Sequence, residues 1–207
     1  MKRIVLASAS PRRKELLEQI GIEFEIAVSK GEEKYKSTVP EEIVKELALG
    51  KAENVAVDLV NARRDFVNAR RDLVDARRDL VIIGADTIVV QDGKILGKPE
   101  DEEHAFRMLQ SLRGREHQVY TGVALLEYTE DGTKRVVSHA EETKVFVHAM
   151  EDEEIRRYIS TGEPMDKAGA YGIQGRFAAY IDRIEGDYYN VVGLPVAYLY
   201  QQLKQNL

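Results

Sequence analysis

Along this chain, short β-branched runs alternate with stripes of apolar residues three and four positions apart, the two periodicities of strands and helices. Arg3 to Ala7 predicts a short strand. Ser8-Ala9-Ser10-Pro11 then turns into a helix with Leu16, Leu17 and Ile20 on its buried face and Gly21 as its stop. Ser10 is a good N-cap type, and Pro11 suits the first helical position, where a missing N–H costs nothing. Glu23 to Val28 predicts a second strand. Pro40 opens a long helix carrying Ile43, Val44, Leu47 and Ala48. Val81-Ile82-Ile83 predicts a buried strand ending at Gly84-Ala85, and Ile88-Val89-Val90 a second run. Asp92-Gly93 is a hairpin signal whose return strand delivers Gly97-Lys98-Pro99. A helix over Glu100 to Leu112, strands over Val119 to Tyr128 and Arg135 to Val147, a helix over Glu151 to Ser160, a strand over Phe177 to Ile184 and a helix from Pro195 complete the order. Strands alternating with helices, with two long hairpins among them, predict an α/β domain with a mixed sheet and a cleft.

One segment departs from this rhythm. Asp58 to Arg78 is a tandem seven-residue repeat, DLVNARR, DFVNARR and DLVDARR. Leu59, Ala62, Phe66, Ala69, Leu73, Ala76 and Leu80 make a heptad seam. Three heptads are marginal for an independent coiled coil. The expectation is a helical insertion at about 58–79 in one domain spanning 1–207, which lengthens a helix or forms a protruding arm. A protein-contact surface, pairing two copies into a homodimer, is the alternative.

At 207 residues and 43% hydrophobic content the chain can bury a core. It has no cysteine, which removes disulfides and thiolate catalysis from consideration. No apolar run approaches a membrane span, and the N-terminal apolar stretch is too short for a secretory signal, so a cytoplasmic protein without a membrane partner is expected. The net charge of −6 argues against a nucleic-acid binder. The four histidines show no metal-ligand spacing.

The chemistry therefore concentrates elsewhere. Asp86 is a carboxylate between apolar runs, costly to bury unless paired, liganded or working. The hairpin would bring Lys98 close to it. Arg12 and Arg13 in the first turn of a helix oppose its dipole, a placement that makes sense if an anion is held there by free N–H groups, Ser8 and the guanidinium groups together. In the polar stretch after residue 28, Glu32-Glu33 offers oxygen ligands for a divalent cation. The glycine-dense EPMDKAGAYGIQG, residues 163–175, contains Lys167 and Gln174 and would let backbone approach a ligand closely.

Five stretches now stand in one order: SASPRRKELL, GADTIV, LGKP, HQVYTGV, and GEPMDKAGAYGIQG followed by GDYYNVVGLP. Together they resemble the Maf family of nucleoside triphosphate pyrophosphatases, from Ile4 to Leu199, with the heptad tract as the clear departure. The resemblance implies an elongated mixed sheet flanked by helices, two lobes with a central cleft, similar to inosine triphosphate pyrophosphatases. It implies hydrolysis of a nucleoside triphosphate between the α and β phosphates with a divalent cation, magnesium or manganese. SPRR, GADT and GIQG resemble the subgroup acting on dTTP and UTP, whereas the 7-methyl-GTP subgroup typically carries SPWR, SDQ and SEG. The positions that distinguish them are Arg12, Thr87 and Gln174.

The same resemblance implies roles. Asp86 is the expected base for the attacking water, with Glu33 and Asp86 sharing the cation. Ser8, Arg12, Arg13, Lys51, Thr87, Lys98 and Lys167 are expected around the substrate, and Gln174 is expected to read the N3–H and a carbonyl of uracil or thymine. Family members have also been linked to septum inhibition, so a division regulator acting through the heptad arm is the competing expectation.

Overall fold

In a computed structural model, the described residues are 2–28, 31–69, 80–129 and 133–204, with the side chains of 60–69 excepted. Their core element is a seven-stranded mixed sheet. Strands β1 (Arg3–Leu6), β2 (Glu25–Ile26), β3 (Leu80–Gln91), β4 (Lys94–Leu96), β5 (Glu116–Tyr128), β6 (Lys134–Val147) and β7 (Ile181–Glu185) lie in the order β2-β1-β3-β5-β6-β7, with β4 also on β3. β1 runs parallel to both β2 and β3. β3, β5 and β6 form an antiparallel meander of long strands. The Arg3 guanidinium clamps β2 to β1 through two bonds to Glu25, of 2.8 and 2.7 Å.

Alternation along the strands divides the core between the two faces. Odd positions of β3 and β5, such as Val81, Ile83, Val119 and Val123, join a large cluster. It is covered by α1 (Pro11–Gln19), α3 (Glu102–Leu112), α4 (Asp152–Ile159), α5 (Tyr188–Val192) and α6 (Val196–Leu203). Even positions face α2 (Pro40–Ala69) alone, and there the core is split in two. Ala52, Val55 and Ala56 of α2 pack on Leu80, Ile82 and Leu126, while Ile43, Val44 and Leu47 pack on Ile88 and Val90.

Several expectations are corrected. β3 does not end at Gly84-Ala85 but runs unbroken for 12 residues. Glycine here marks a close approach: a Cβ on Gly84 would run into the Ala48 carbonyl of α2. Asp86 is therefore mid-strand. The second strand is two residues long. The run from Phe177 is a 3₁₀ turn, Arg176–Tyr180, before β7 begins. Its Phe177 is buried against Tyr158, Tyr171 and Tyr180, and the Tyr180 carbonyl accepts from the His148 N–H at 2.8 Å, so aromatic packing replaces alternation. Ser10 does occupy the N-cap of α1, with Pro11 next, yet its side chain makes no capping bond. α2 continues into the heptad tract as far as Ala69, and the rest of the tract lies outside the described residues. Among the described residues no helix is long and apolar enough to cross a membrane.

Candidate active site

The site grows from a gap in one edge of β3. β1 pairs with residues 80–83 and β4 with 89–91, so among the described strands residues 84–88 have a partner only on the β5 side. The chain leaving β1 is Ala7-Ser8, held to the sheet by the Ala7 N–H on the Ile83 carbonyl at 2.8 Å. The chain leaving β4 is Gly97-Lys98, where the Gly97 carbonyl accepts from the Gly169 N–H at 3.0 Å. Two strand ends thus deliver a serine and a lysine to the gap from opposite directions, and the second brings the 163–175 loop with it.

Asp86 and Thr87 occupy the gap on opposite faces. Asp86 points to α2, between the two halves of the split core. Its cross-strand partner is Gly122, where a Cβ would run into the Val44 carbonyl. Two glycines let α2 rest on bare backbone, and Lys51, the next turn of that helix, reaches Asp86. The Lys51 ammonium binds Asp86 Oδ1 and also Glu33 Oε1, the latter at 2.9 Å. Lys51 and Asp86 are largely buried, with 18% and 13% of their side chains exposed, while Glu33 is open to solvent at 62%. The Lys51 hydrogen bond holds the Glu33 carboxyl below the usual range against the opposing effect of burial, helped by the charges of Lys51, Lys98 and Arg13. Glu33 is thereby within electrostatic reach of Lys51, Lys98 and Arg13, and Arg13 of Asp86, although Lys98 is itself exposed.

On the other face Arg13 is built in by three bonds. Its Nε donates to the Gly193 carbonyl at 2.8 Å, Nη1 to Ser8 Oγ at 3.1 Å and Nη2 to Thr87 Oγ1 at 3.0 Å. Burial pulls this guanidinium below an arginine's ordinary value, Asp86 pulls it back, Arg12 presses it down and Glu33 raises it. A guanidinium has five N–H groups, so two remain without a protein acceptor among the described residues. Ser8 Oγ accepts from Arg13 and, at 3.2 Å, from the Ser10 N–H, leaving its own proton to give.

The glycine-rich loop closes the surround. Glu163 organises it: Oε1 accepts from Tyr158 Oη at 3.0 Å and Oε2 from the Arg176 N–H at 3.0 Å, and a Cβ on Gly175 would collide with this carboxylate. Gln174 sits exposed on the turn before Gly175. Lys167 does not reach outward here; its ammonium donates to the Glu163 carbonyl and to Asp166 Oδ1, both at 2.7 Å. Asp166 is held below the usual carboxylate range by that lysine first, against burial, and further by Lys167 and Arg12 charge, which places Arg12 on the loop side of the gap. Thr121 and Gly193 went unassigned in the sequence because each bonds a partner far along the chain and leaves no local pattern, while Glu163 serves its own loop through partners 5 and 13 positions away.

Among the described residues no group of three or more histidines and carboxylates gathers to hold a metal ion. Glu33 and Asp86 instead form a pair sharing one cationic group, the Lys51 ammonium. Two carboxylates are the set used by magnesium sites that take their remaining ligands from phosphate and water, so the donors fit such a cation.

A sheet-edge gap with two acids, two or three cations and spare N–H donors is the equipment of a protein that handles a polyphosphate anion. The chain belongs to the Maf-like protein family, whose model matches residues 3–206. It is similar to the dTTP/UTP pyrophosphatase of Agathobacter rectalis, at 51% identity over 99% of this chain and 98% of that one. It is also similar to the dTTP/UTP pyrophosphatase of Lachnoclostridium phytofermentans, at 48% over 99% and 95%. Among solved structures, the Staphylococcus aureus Ham1 protein aligns over 100% of both chains with a TM-score of 0.46 and 13% identity, too faint a likeness to bear on function.

Proposed function

We propose that this protein is a nucleoside triphosphate pyrophosphatase that hydrolyses dTTP and UTP to the monophosphate and pyrophosphate. The observation that carries the reading is the Lys51 ammonium bridging Asp86 and Glu33 at a gap flanked by Ser8, Arg13 and Lys98. The names of relatives matching the full chain support the substrate class. In this reading Asp86 is the base. Its Oδ1 is taken by Lys51, and Oδ2 has no protein partner among the described residues, so it is the oxygen offered to a water attacking the α phosphorus. The free N–H groups of Arg13, the Ser8 hydroxyl and Lys98 bind phosphate oxygens and hold the triphosphate in line. Lys51 keeps Asp86 oriented. Glu33 and Asp86 would hold a magnesium or manganese ion, which when bound supplies positive charge to the phosphate oxygens.

Arg12 and Lys167 stand on the loop side, where Gln174 would meet the base. A side-chain amide held one way round accepts from N3–H and donates to a carbonyl of uracil or thymine. Cytosine lacks that proton and leaves a group unpaired, at a cost of about 1–3 kcal/mol. The chain is proposed as one domain in which the tract at about 58–79 is an insertion that follows the Lys51 segment of α2. No observation favours the division-regulator reading. With magnesium, the purified protein is expected to release pyrophosphate from dTTP and UTP at least tenfold faster than from CTP or ATP. Equal slow rates on all four would overturn the substrate assignment. Gln174→Glu should narrow the preference without changing the unfolding midpoint.

A further inference from the structure

The bonds that fix Arg13 continue inward through two buried hydroxyl groups. Thr87 and Thr121 are cross-strand partners on β3 and β5, their oxygens 2.9 Å apart. Thr121 is fully buried and spends its single proton on the Asn190 carbonyl at 2.9 Å. It can therefore only accept from Thr87. Thr87 in turn gives its proton to Thr121 and must accept from Arg13 Nη2, at 3.0 Å. Every donor in this chain has one direction: guanidinium to Thr87, Thr87 to Thr121, Thr121 to the α5 backbone.

The far end is rigidly built. The Asn190 side chain, also fully buried, donates to the Val119 carbonyl at 3.0 Å and to Thr143 Oγ1 at 2.9 Å. Thr143 Oγ1 donates to the Asp187 carbonyl at 2.9 Å and accepts from the Asp187 N–H at 3.0 Å. So the segment 187–193 is tied to β5 and β6, and it holds Arg13 twice: through the Gly193 carbonyl directly and through Asn190 and the two threonines. Rotating the Thr87 hydroxyl would aim a proton, not a lone pair, at the guanidinium, and Thr121 is the group that prevents it.

We propose that Thr121 is a positioning residue for the proposed reaction, setting the guanidinium of Arg13 toward the phosphates without touching them. This rests on the reading of the gap as a polyphosphate site. Thr121→Val keeps the shape and removes the acceptor; Thr121→Ser keeps the hydroxyl. The measurement is a double-mutant cycle with Arg13→Lys, which retains charge but lacks the planar fork, read as affinity for inorganic pyrophosphate with magnesium by calorimetry. In the wild-type background Thr121→Val is expected to weaken binding about tenfold, the scale of a hydrogen bond to a charged group. In the Arg13→Lys background the loss should shrink to less than about twofold, and Thr121→Ser should bind as wild type. Equal losses in both backgrounds, or a Thr121→Ser loss matching that of Thr121→Val, would show a merely structural threonine and overturn the inference. Pyrophosphate release from UTP by the wild type tests the function separately, so failure of that reading and failure of the Thr121 role are told apart.

Discussion

Gly122 lies directly beneath the Val44 carbonyl, with no room between them for a methyl group. The same holds for Gly84 beneath Ala48, one turn further along α2. These contacts set the height of the helix above the sheet, and with it the reach of Lys51 to Asp86. Structure and chemistry are coupled through two absent side chains.

Gly122→Ala is therefore expected to lift α2. Overpacking at a backbone contact costs about 1–3 kcal/mol, to be read as a lower urea midpoint. Because Lys51 moves with the helix, kcat/KM should fall further than stability explains, about 100-fold, the effect of misplacing a catalytic group by roughly an ångström. Full activity at reduced stability would separate the glycine from the site.

Lys51→Met leaves Glu33 and Asp86 facing each other without the ammonium between them. The Lys51 hydrogen bond is the main cause of the lowered Glu33 value, so the Glu33 titration should move to higher pH. The sign for stability follows: a depressed carboxylate contributes above its unfolded value and loses that contribution as pH falls through its folded value. Followed by NMR, the Glu33 carboxyl should titrate at higher pH in the variant than in wild type, with turnover lowered about 100-fold. An unmoved Glu33 titration would remove this lysine from its control.

His117 is buried on β5 with Nε2 2.7 Å from Tyr171 Oη and the two rings edge to face. Burial pulls it down to about 4. The unfolded chain takes up this proton near pH 6.5 while the folded one resists, so stability falls as pH drops between those values. One proton corresponds to about 1.4 kcal/mol per pH unit. Urea unfolding of wild type and His117→Gln from pH 7.5 to 4.5 should diverge with that slope below about 6.5. Parallel curves would contradict it. Tyr171 begins the turn that carries Gln174, so the loss should loosen the base-side loop first.

Local pattern made much of this legible. The Ser8 to Arg13 turn, the helix carrying Lys51 and the Asp92-Gly93 hairpin follow from helix-start residue types, periodicity and turn chemistry. Gly84 misled because a strand-breaking glycine and a glycine beneath a helix are the same letter, and only the packing of α2 tells them apart. Thr121 and Asn190 look like any polar residues of a strand and a short helix. Their roles come from partners 34 and 69 positions away, a separation at which no local pattern speaks. Lys167, expected at the substrate, has its ammonium held by a carbonyl and a carboxylate of its own glycine-dense loop, a pose that composition does not reveal.

The central claim is that water, poised by Asp86, attacks the α phosphorus. Hydrolysis of UTP in ¹⁸O-labelled water, with products resolved by mass spectrometry, tests it most directly. The account predicts one heavy oxygen in UMP, none in pyrophosphate, and no turnover by a folded Asp86→Asn variant. Label in pyrophosphate, or unchanged turnover by that variant, would contradict it.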